Sequence, residues 1–164
     1  MEYNTGIDNF KLRDANPNDC ENILKLIKAI AKYEKMEDSV TATKETLYDS
    51  LFVKDSAKVI LAYYRDNLIG YMLYFFNFST FTGTRNIYLE DLFLFEEYRH
   101  KGYGSIMLKI LANIAVASDV KRIDWICLNW NKPSLDFYKS INAKALDYWI
   151  LHRLDETAIK ELAK

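Results

Sequence analysis

Nine residues, Glu97-Tyr98-Arg99-His100-Lys101-Gly102-Tyr103-Gly104-Ser105, carry the densest chemical signal in the chain. They join a strand-type run to a helix-type run. Glycines at such a junction let backbone N–H groups converge on one point, and a helix N-terminus adds roughly half a positive charge there. Arg99, His100 and Lys101 add side-chain cations. The spacing fits a phosphate nest and equally a plain tight turn. It is neither of two familiar nucleotide motifs, since Gly-Lys-Ser/Thr and a third dinucleotide-type glycine are both missing. A second signal is Glu90-Asp91, an acidic pair inside an apolar strand. Strand neighbours point to opposite faces, so Leu89, Asp91 and Phe93 are expected on one face and Tyr88, Glu90, Leu92 and Leu94 on the other. A half-buried carboxylate is costly unless it is paired or opens on a cleft. A structural salt bridge and a site carboxylate both fit.

The elements that must position these groups follow from periodicity and sparse punctuation. Phe10 to Arg13 reads as a strand. Asn16-Pro17-Asn18-Asp19 reads as a helix start, with Ile23, Leu24, Ile27, Ile30 and Ala31 at helical spacing as far as Tyr33 or Glu34. Glu37 to Val40 is polar loop, and Thr43 caps a shorter helix to Phe52. Lys58 to Tyr64 and Leu68 to Phe78 are strands around an Arg65-Asp66-Asn67 hairpin turn. Asn86 to Phe95 is a third strand of this group. Gly102 and Gly104 open a helix through Ile114. Arg122 to Leu128 reads as a strand and Ser134 to Ile141 as a helix after Pro133. Ala145 to Leu154 reads as a strand, and a helical tail follows. The expected fold is a mixed α/β sandwich, antiparallel strands first and a parallel pair around the glycine loop.

Composition narrows the function. The chain has 164 residues, 50% hydrophobic and 27% charged, so one well-packed domain is expected over 1–164, with 1–9 as a flexible arm. A net charge of -1 argues against nucleic acid or anionic lipid as the main partner. No leader-like N-terminus and no long apolar run stand in the sequence, giving the expectation of a cytoplasmic protein without a membrane span. Cys20 and Cys127 make no disulfide framework and read as buried structural thiols. With His100 and His152 as the only histidines, no metal is expected. His100 reads as a phosphate neighbour or a solvent-exposed residue, and His152 as a strand surface residue.

Arg99-x-x-Gly102-x-Gly104 resembles the Arg/Gln-x-x-Gly-x-Gly/Ala loop of the Gcn5-related N-acetyltransferases. Trp130-Asn131-Lys132-Pro133-Ser134-Leu135-Asp136-Phe137-Tyr138-Lys139 resembles that family's Asn-x-x-(Ala/Ser)-x-x-Phe-Tyr signature. Tyr88 to Leu94 and Lys28 to Glu37 are similar to its diamine (spermidine/spermine) branch. The similarity runs from Phe10 through most of the chain. It implies a central mixed sheet with a splayed parallel pair flanked by helices, and acetyl-CoA as co-substrate. It implies that Arg99, His100, Lys101, Gly102, Tyr103, Gly104 and Ser105 hold the CoA pyrophosphate. Backbone groups at Leu92, Phe93 and Leu94 would take the acetyl carbonyl and pantetheine, with Asn131, Pro133, Ser134 and Tyr138 completing the cofactor set.

Acetyl transfer to an amine needs a base, because alkylammonium groups titrate near ~10, and a proton for the departing thiolate. The resemblance assigns the proton donor to Tyr138, otherwise a core tyrosine anchoring its helix. It picks Glu90 as the substrate-side carboxylate, binding ammonium and acting as base through water. Tyr33 and Glu34, otherwise a solvated helix terminus, would line the amine site, with Asp124, Trp125 and Ile126 as further substrate wall and Asp147 as a looser addition. It also implies a homodimer.

Two departures bear on substrate. Asn67 to Leu89 lacks any acid, and Ser79 stands where the diamine branch carries one, in a loop one residue longer near Gly83. A long polycation wants several spaced carboxylates, so a short diamine or lysine-like amine fits better. Asn142 replaces a usual Gly, and Asn tolerates the left-handed turn. Three readings result: direct acetyl transfer to a small cationic amine in a ternary complex, acetylation of a protein or peptide amine, and a non-catalytic acyl-CoA-binding dimeric module. The presence of both Tyr138 and Glu90 argues against the last.

Overall fold

The computed structural model describes all residues, 1–164. The chain divides into two compact units, residues 1–126 and 127–164.

The first unit is built on a six-stranded sheet whose spatial order is its chain order: β1 (Glu2–Tyr3), β2 (Phe10–Asp14), β3 (Lys58–Tyr64), β4 (Asn67–Ser79), β5 (Thr84–Leu94) and β6 (Ile123–Asp124). All neighbours run antiparallel except β5 and β6, which are parallel and joined through the helix that follows the glycine loop. The expected mixed α/β architecture and its parallel pair are therefore present. Within residues 1–9, β1 pairs with β2, and the Tyr3 hydroxyl donates to Asp14.

β3 is a near-continuous apolar run because both of its faces are covered. Ile60 and Ala62 join a core with Leu12, Met72, Ile87, Leu89 and the inward stripe of α3 (Tyr103–Ala117), namely Met107, Ile110, Leu111 and Ala115. Val59 and Leu61 face the other way. They pack with Tyr71, Phe93 and residues of α1 (Cys20–Glu34) and α2 (Lys44–Tyr48). The layers are thus α1 and α2, the sheet, and α3.

Local chemistry fixes each helix end. Asn16 and Asp19 form a reciprocal capping box ahead of α1, with Pro17 at the first position of the intervening turn. α1 stops where Lys35 takes φ +60, donating to the Lys32 carbonyl while Met36 donates to that of Ala31. These two bonds make a Schellman closure and hold Tyr33 and Glu34 in the last turn. Thr43 caps α2, as the sequence indicates, and the helix widens into a π-turn over Asp49–Val53.

The second unit holds α4 (Lys132–Ser140), capped by Asn131, and α5 (Glu156–Leu162), capped by Asp155. Asn142 takes φ +62, the left-handed conformation expected of it. Two strand expectations fail. The Arg122–Leu128 run forms a strand only at Ile123–Asp124. Ala145 to Leu154 is irregular, with a turn at Asp147 and Tyr148, because residues 127–164 contain no strand edge against which it could pair. Leu146, Tyr148, Trp149, Ile150, Leu151 and Leu154 are exposed there, and His152 is exposed on irregular backbone rather than on a strand.

Candidate active site

The glycine loop forms the strand-to-helix junction that its sequence predicts. His100 and Gly102 both take positive φ, +59 and +81. Gly102 is the N-cap of α3 and offers no side-chain cap; the first turn carries no acid. The first N–H groups of a 15-residue helix are left for another partner, and the local field favours an anion. A tyrosine cluster anchors this helix start. Tyr103 is buried and stacks on Phe10 at 4.3 Å, with Tyr64 at 6.0 Å from Tyr103 and 6.1 Å from Tyr98. His100, Lys101, Gly102 and Ser105 are exposed, and Gly104 is half-buried. Lys101 donates to the Glu97 carbonyl and lies 5.2 Å from the Tyr98 ring.

Arg99 turns back toward the C-terminal end of α1. Its Nε donates to the Leu94 carbonyl at 2.8 Å. Its guanidinium lies 4.4 Å from the Tyr33 ring and 5.6 Å from that of Phe93. Thus one cation links the glycine loop, the end of β5 and the last turn of α1. Next to Arg99's acceptor, β5 opens: β6 pairs with it only at Ile87 and Tyr88, so the edge running through Leu92, Phe93 and Leu94 has a strand neighbour on its β4 side alone. Gly70 of β4 permits the close fit on that side, since a Cβ there would lie 2.2 Å from the Phe93 carbonyl oxygen.

The acidic pair departs from simple alternation. Leu73 is paired with Asp91 and Tyr74 with Leu89, so Glu90 is an extra residue, a β-bulge in β5. The bulge shifts the phase of the strand. Leu89 packs in the α3-side core together with Leu92 and Leu94, whereas Phe93 packs with Tyr71 on the α1 side. The expected grouping of Leu89 with Asp91 and Phe93 is therefore corrected: Asp91 follows Phe93, not Leu89. The Tyr71 hydroxyl donates to Asp91 Oδ2 at 2.6 Å.

Three carboxylates act on Tyr71. Burial raises its phenol well above the ordinary tyrosine range, and Asp91, Glu34 and Glu90 push it further. Burial likewise raises Asp91, opposed by the Tyr71 bond. Burial raises Glu34, and the charge of Asp91 adds to it. The arrangement gathers three carboxyl groups about one buried phenol, a chemistry suited to a cation. Asp91 and Tyr71 are the site residues that sequence reasoning missed. Asp91 was visible as a costly carboxylate in a strand; Tyr71 has no local signal.

Of the remaining expected site residues, Asp124 is opposite Tyr88 in the ladder and receives Arg122 Nε at 2.6 Å. Trp125 packs on the α3-side core and Ile126 is exposed. In the second unit, Asn131 accepts from the Ser134 N–H, Pro133 sits in the first turn of α4, and Tyr138 is half-buried with its ring 5.6 Å from that of Phe137.

Comparison with known proteins agrees with this geometry. The model of the Acetyltransferase (GNAT) family matches residues 21–142. The chain is 36% identical over 164 residues to the thialysine N-epsilon-acetyltransferase of Bos taurus, covering 93% of this chain and 96% of that one. It is 36% identical over 95 residues to an L-ornithine N5-acetyltransferase of Arabidopsis thaliana, covering 58% of this chain and 42% of that one. A solved integron cassette protein from the V. cholerae mobile metagenome superposes with a TM-score of 0.79 at 25% identity, covering 95% of this chain and 98% of that one. With its family model spanning most of the chain and its mixed sheet opening at the strand before the glycine loop, this protein belongs to the GNAT family of acetyltransferases.

Proposed function

We propose that this chain is an acetyl-CoA-dependent N-acetyltransferase of a short cationic amine, by direct attack of the amine in a ternary complex. The observation that carries this reading is the grouping of Glu34, Glu90 and Asp91 about Tyr71, tied through Tyr33 and Arg99 to the glycine loop. Few sites gather that much negative charge beside an anion-binding helix start unless a cation meets an anionic co-substrate there. The relatives named for thialysine and ornithine support an amine carried on a short chain.

The residues fit acetyl-CoA. The uncapped start of α3 would hold the pyrophosphate with the backbone from Gly102 to Ser105, helped by His100 and Lys101. The open edge of β5 at Leu92 to Leu94 would hold the pantetheine arm and the acetyl carbonyl, and Asn131, Pro133 and Ser134 complete the set. Bound acetyl-CoA supplies the activated acetyl group. Glu90, with water, accepts the ammonium proton so that the amine lone pair can form the C–N bond. Tyr138 gives its phenolic proton to sulfur as the C–S bond breaks, and the proton then lost by the new amide nitrogen restores the phenol. Tyr33, Glu34, Asp124, Trp125 and Ile126 form the amine wall. The active form is a homodimer in a cytoplasmic setting; no helix is long and apolar enough to cross a membrane.

The test is a panel of amines with acetyl-CoA, following free thiol release. Turnover on short diamines or lysine-like amines is the expected result. Release with no amine, or only with peptide N-termini, rejects the assignment.

A further inference from the structure

Two residues of the acidic cluster, Asp91 and its partner Tyr71, have no assigned step in the acetyl transfer. Tyr71 is 0% exposed, in the middle of β4, and yet it carries a hydroxyl into the α1-side core. Its hydroxyl has one partner given by the structure, Asp91 Oδ2, at the short distance typical of a donor on an ionised carboxylate. A phenylalanine would fill the same volume. We propose that Tyr71 is a positioning residue: by occupying Oδ2 it turns Asp91 so that the carboxylate, with Glu34, receives the second positive charge of a dicationic substrate. The inference rests on the acetyltransferase reading above and deepens it by assigning the far-end charge to Asp91 and Glu34.

The Tyr71 phenol cannot act as a base near neutrality, because burial and three carboxylates hold its proton in place. It is an obligatory donor. The groups acting with Asp91 are Tyr71 from β4, Glu34 from the end of α1 and Glu90 beside it in the bulge; Arg99, at the end of β5, is engaged by the Leu94 carbonyl and by the Tyr33 and Phe93 rings. Asp91 therefore has a donor on one oxygen and no cation of the chain's own bonded to it, while burial works against its charge. Two things satisfy such a carboxylate, a proton or a substrate ammonium. The Tyr71 bond favours the ionised form and hence the ammonium.

The experiment compares 1,3-diaminopropane with propylamine as acceptors, in wild type, Tyr71→Phe and Asp91→Asn, across pH. In Tyr71→Phe the loss of kcat/KM on the diamine should exceed the loss on propylamine by about ten- to hundredfold, the worth of one hydrogen bond to a charged group, and should sit mainly in KM. The acidic limb of the diamine KM profile should move up by about one to two pH units, because the carboxylate has lost its donor. Asp91→Asn should show the same loss of selectivity with that limb absent, which keeps the test decisive if the Phe variant folds poorly. Equal losses on both amines in both variants, or an unmoved limb in a folded Tyr71→Phe, overturns this inference and leaves the acetyltransferase reading intact. A wild type that releases no thiol with either amine or with lysine-like amines overturns both.

Discussion

At Asp91 two opposing effects meet in one side chain. Burial makes its charge expensive and the Tyr71 hydrogen bond partly restores it, with burial the larger influence. Glu34 is raised by the same burial and then by Asp91 itself. For an acid whose folded pKa is raised, ionisation at neutral pH works against the fold. Asp91→Asn is therefore expected to hold or raise the thermal midpoint at pH 7, checked by a melting curve, even as it removes the preference for a dication. The same sign predicts that kcat/KM for cationic amines falls as pH drops toward the raised values of these acids, above the free carboxylate range of about 4. Tyr138 makes a separate prediction. Tyr138→Phe keeps the ring and should leave CoA affinity, read by titration calorimetry, near wild type. Its turnover should fall by ~10²–10⁴, one general-acid contribution. Wild-type turnover with chemistry shown to be limiting would make Tyr138 a packing residue.

Among the elements, the glycine loop and the Arg13–Asp19 lock give contrasting tests. Gly102 has no atom within 4 Å of where a Cβ would stand, so its own chain does not exclude a side chain. Its φ of +81 does, at a cost of about 1–2 kcal/mol for an L-residue. Gly102→Val should fold with that modest loss and yet bind CoA far more weakly, because the branched side chain keeps phosphate from the backbone. Unchanged CoA affinity in the folded variant removes the loop from the cofactor site. Arg13 meets Asp19 through two bonds of 2.7 Å and also donates to Tyr63, fastening β2, β3 and the start of α1 together. The Arg13 bond is the main reason that Asp19 lies below the ordinary carboxylate range. Its stabilisation is complete above the unfolded pKa of about 4 and is lost as pH falls through the lower folded value. Asp19→Asn should cost about 1–3 kcal/mol at pH 7, between an exposed and a buried pair. The difference from wild type should shrink in acid, measured by urea unfolding at pH 7 and below pH 3.

For the whole molecule, the homodimer implied by the family resemblance is open to a direct test. Sedimentation at micromolar concentration should give twice the 19.3 kDa chain mass. A 19.3 kDa species rejects the dimer.

Most of the fold was legible in the chain because it is locally encoded. Caps at Asn16 and Thr43, apolar stripes at helical spacing and the two-sided apolar run of β3 each specify an element within a few residues. The glycine loop was legible for the same reason, since glycine takes the positive φ found at Gly102 without the strain it costs other residues. What lay beyond the sequence depends on partners far along the chain. An unbroken ladder from Ser79–Thr84 would set Asp91 opposite Met72 and send Tyr71 to the other face; the bulge at Glu90 sets it opposite Leu73, which makes Tyr71 its same-face diagonal neighbour. The apolar run from Ala145 to Leu154 has strand composition, but a strand exists only where another edge takes its hydrogen bonds, and its own unit has none. Residue types determined the loop, the helices and the acids; register along β4 and β5 decided which acids face one another, because a shift of one residue moves a side chain from one face of the sheet to the other.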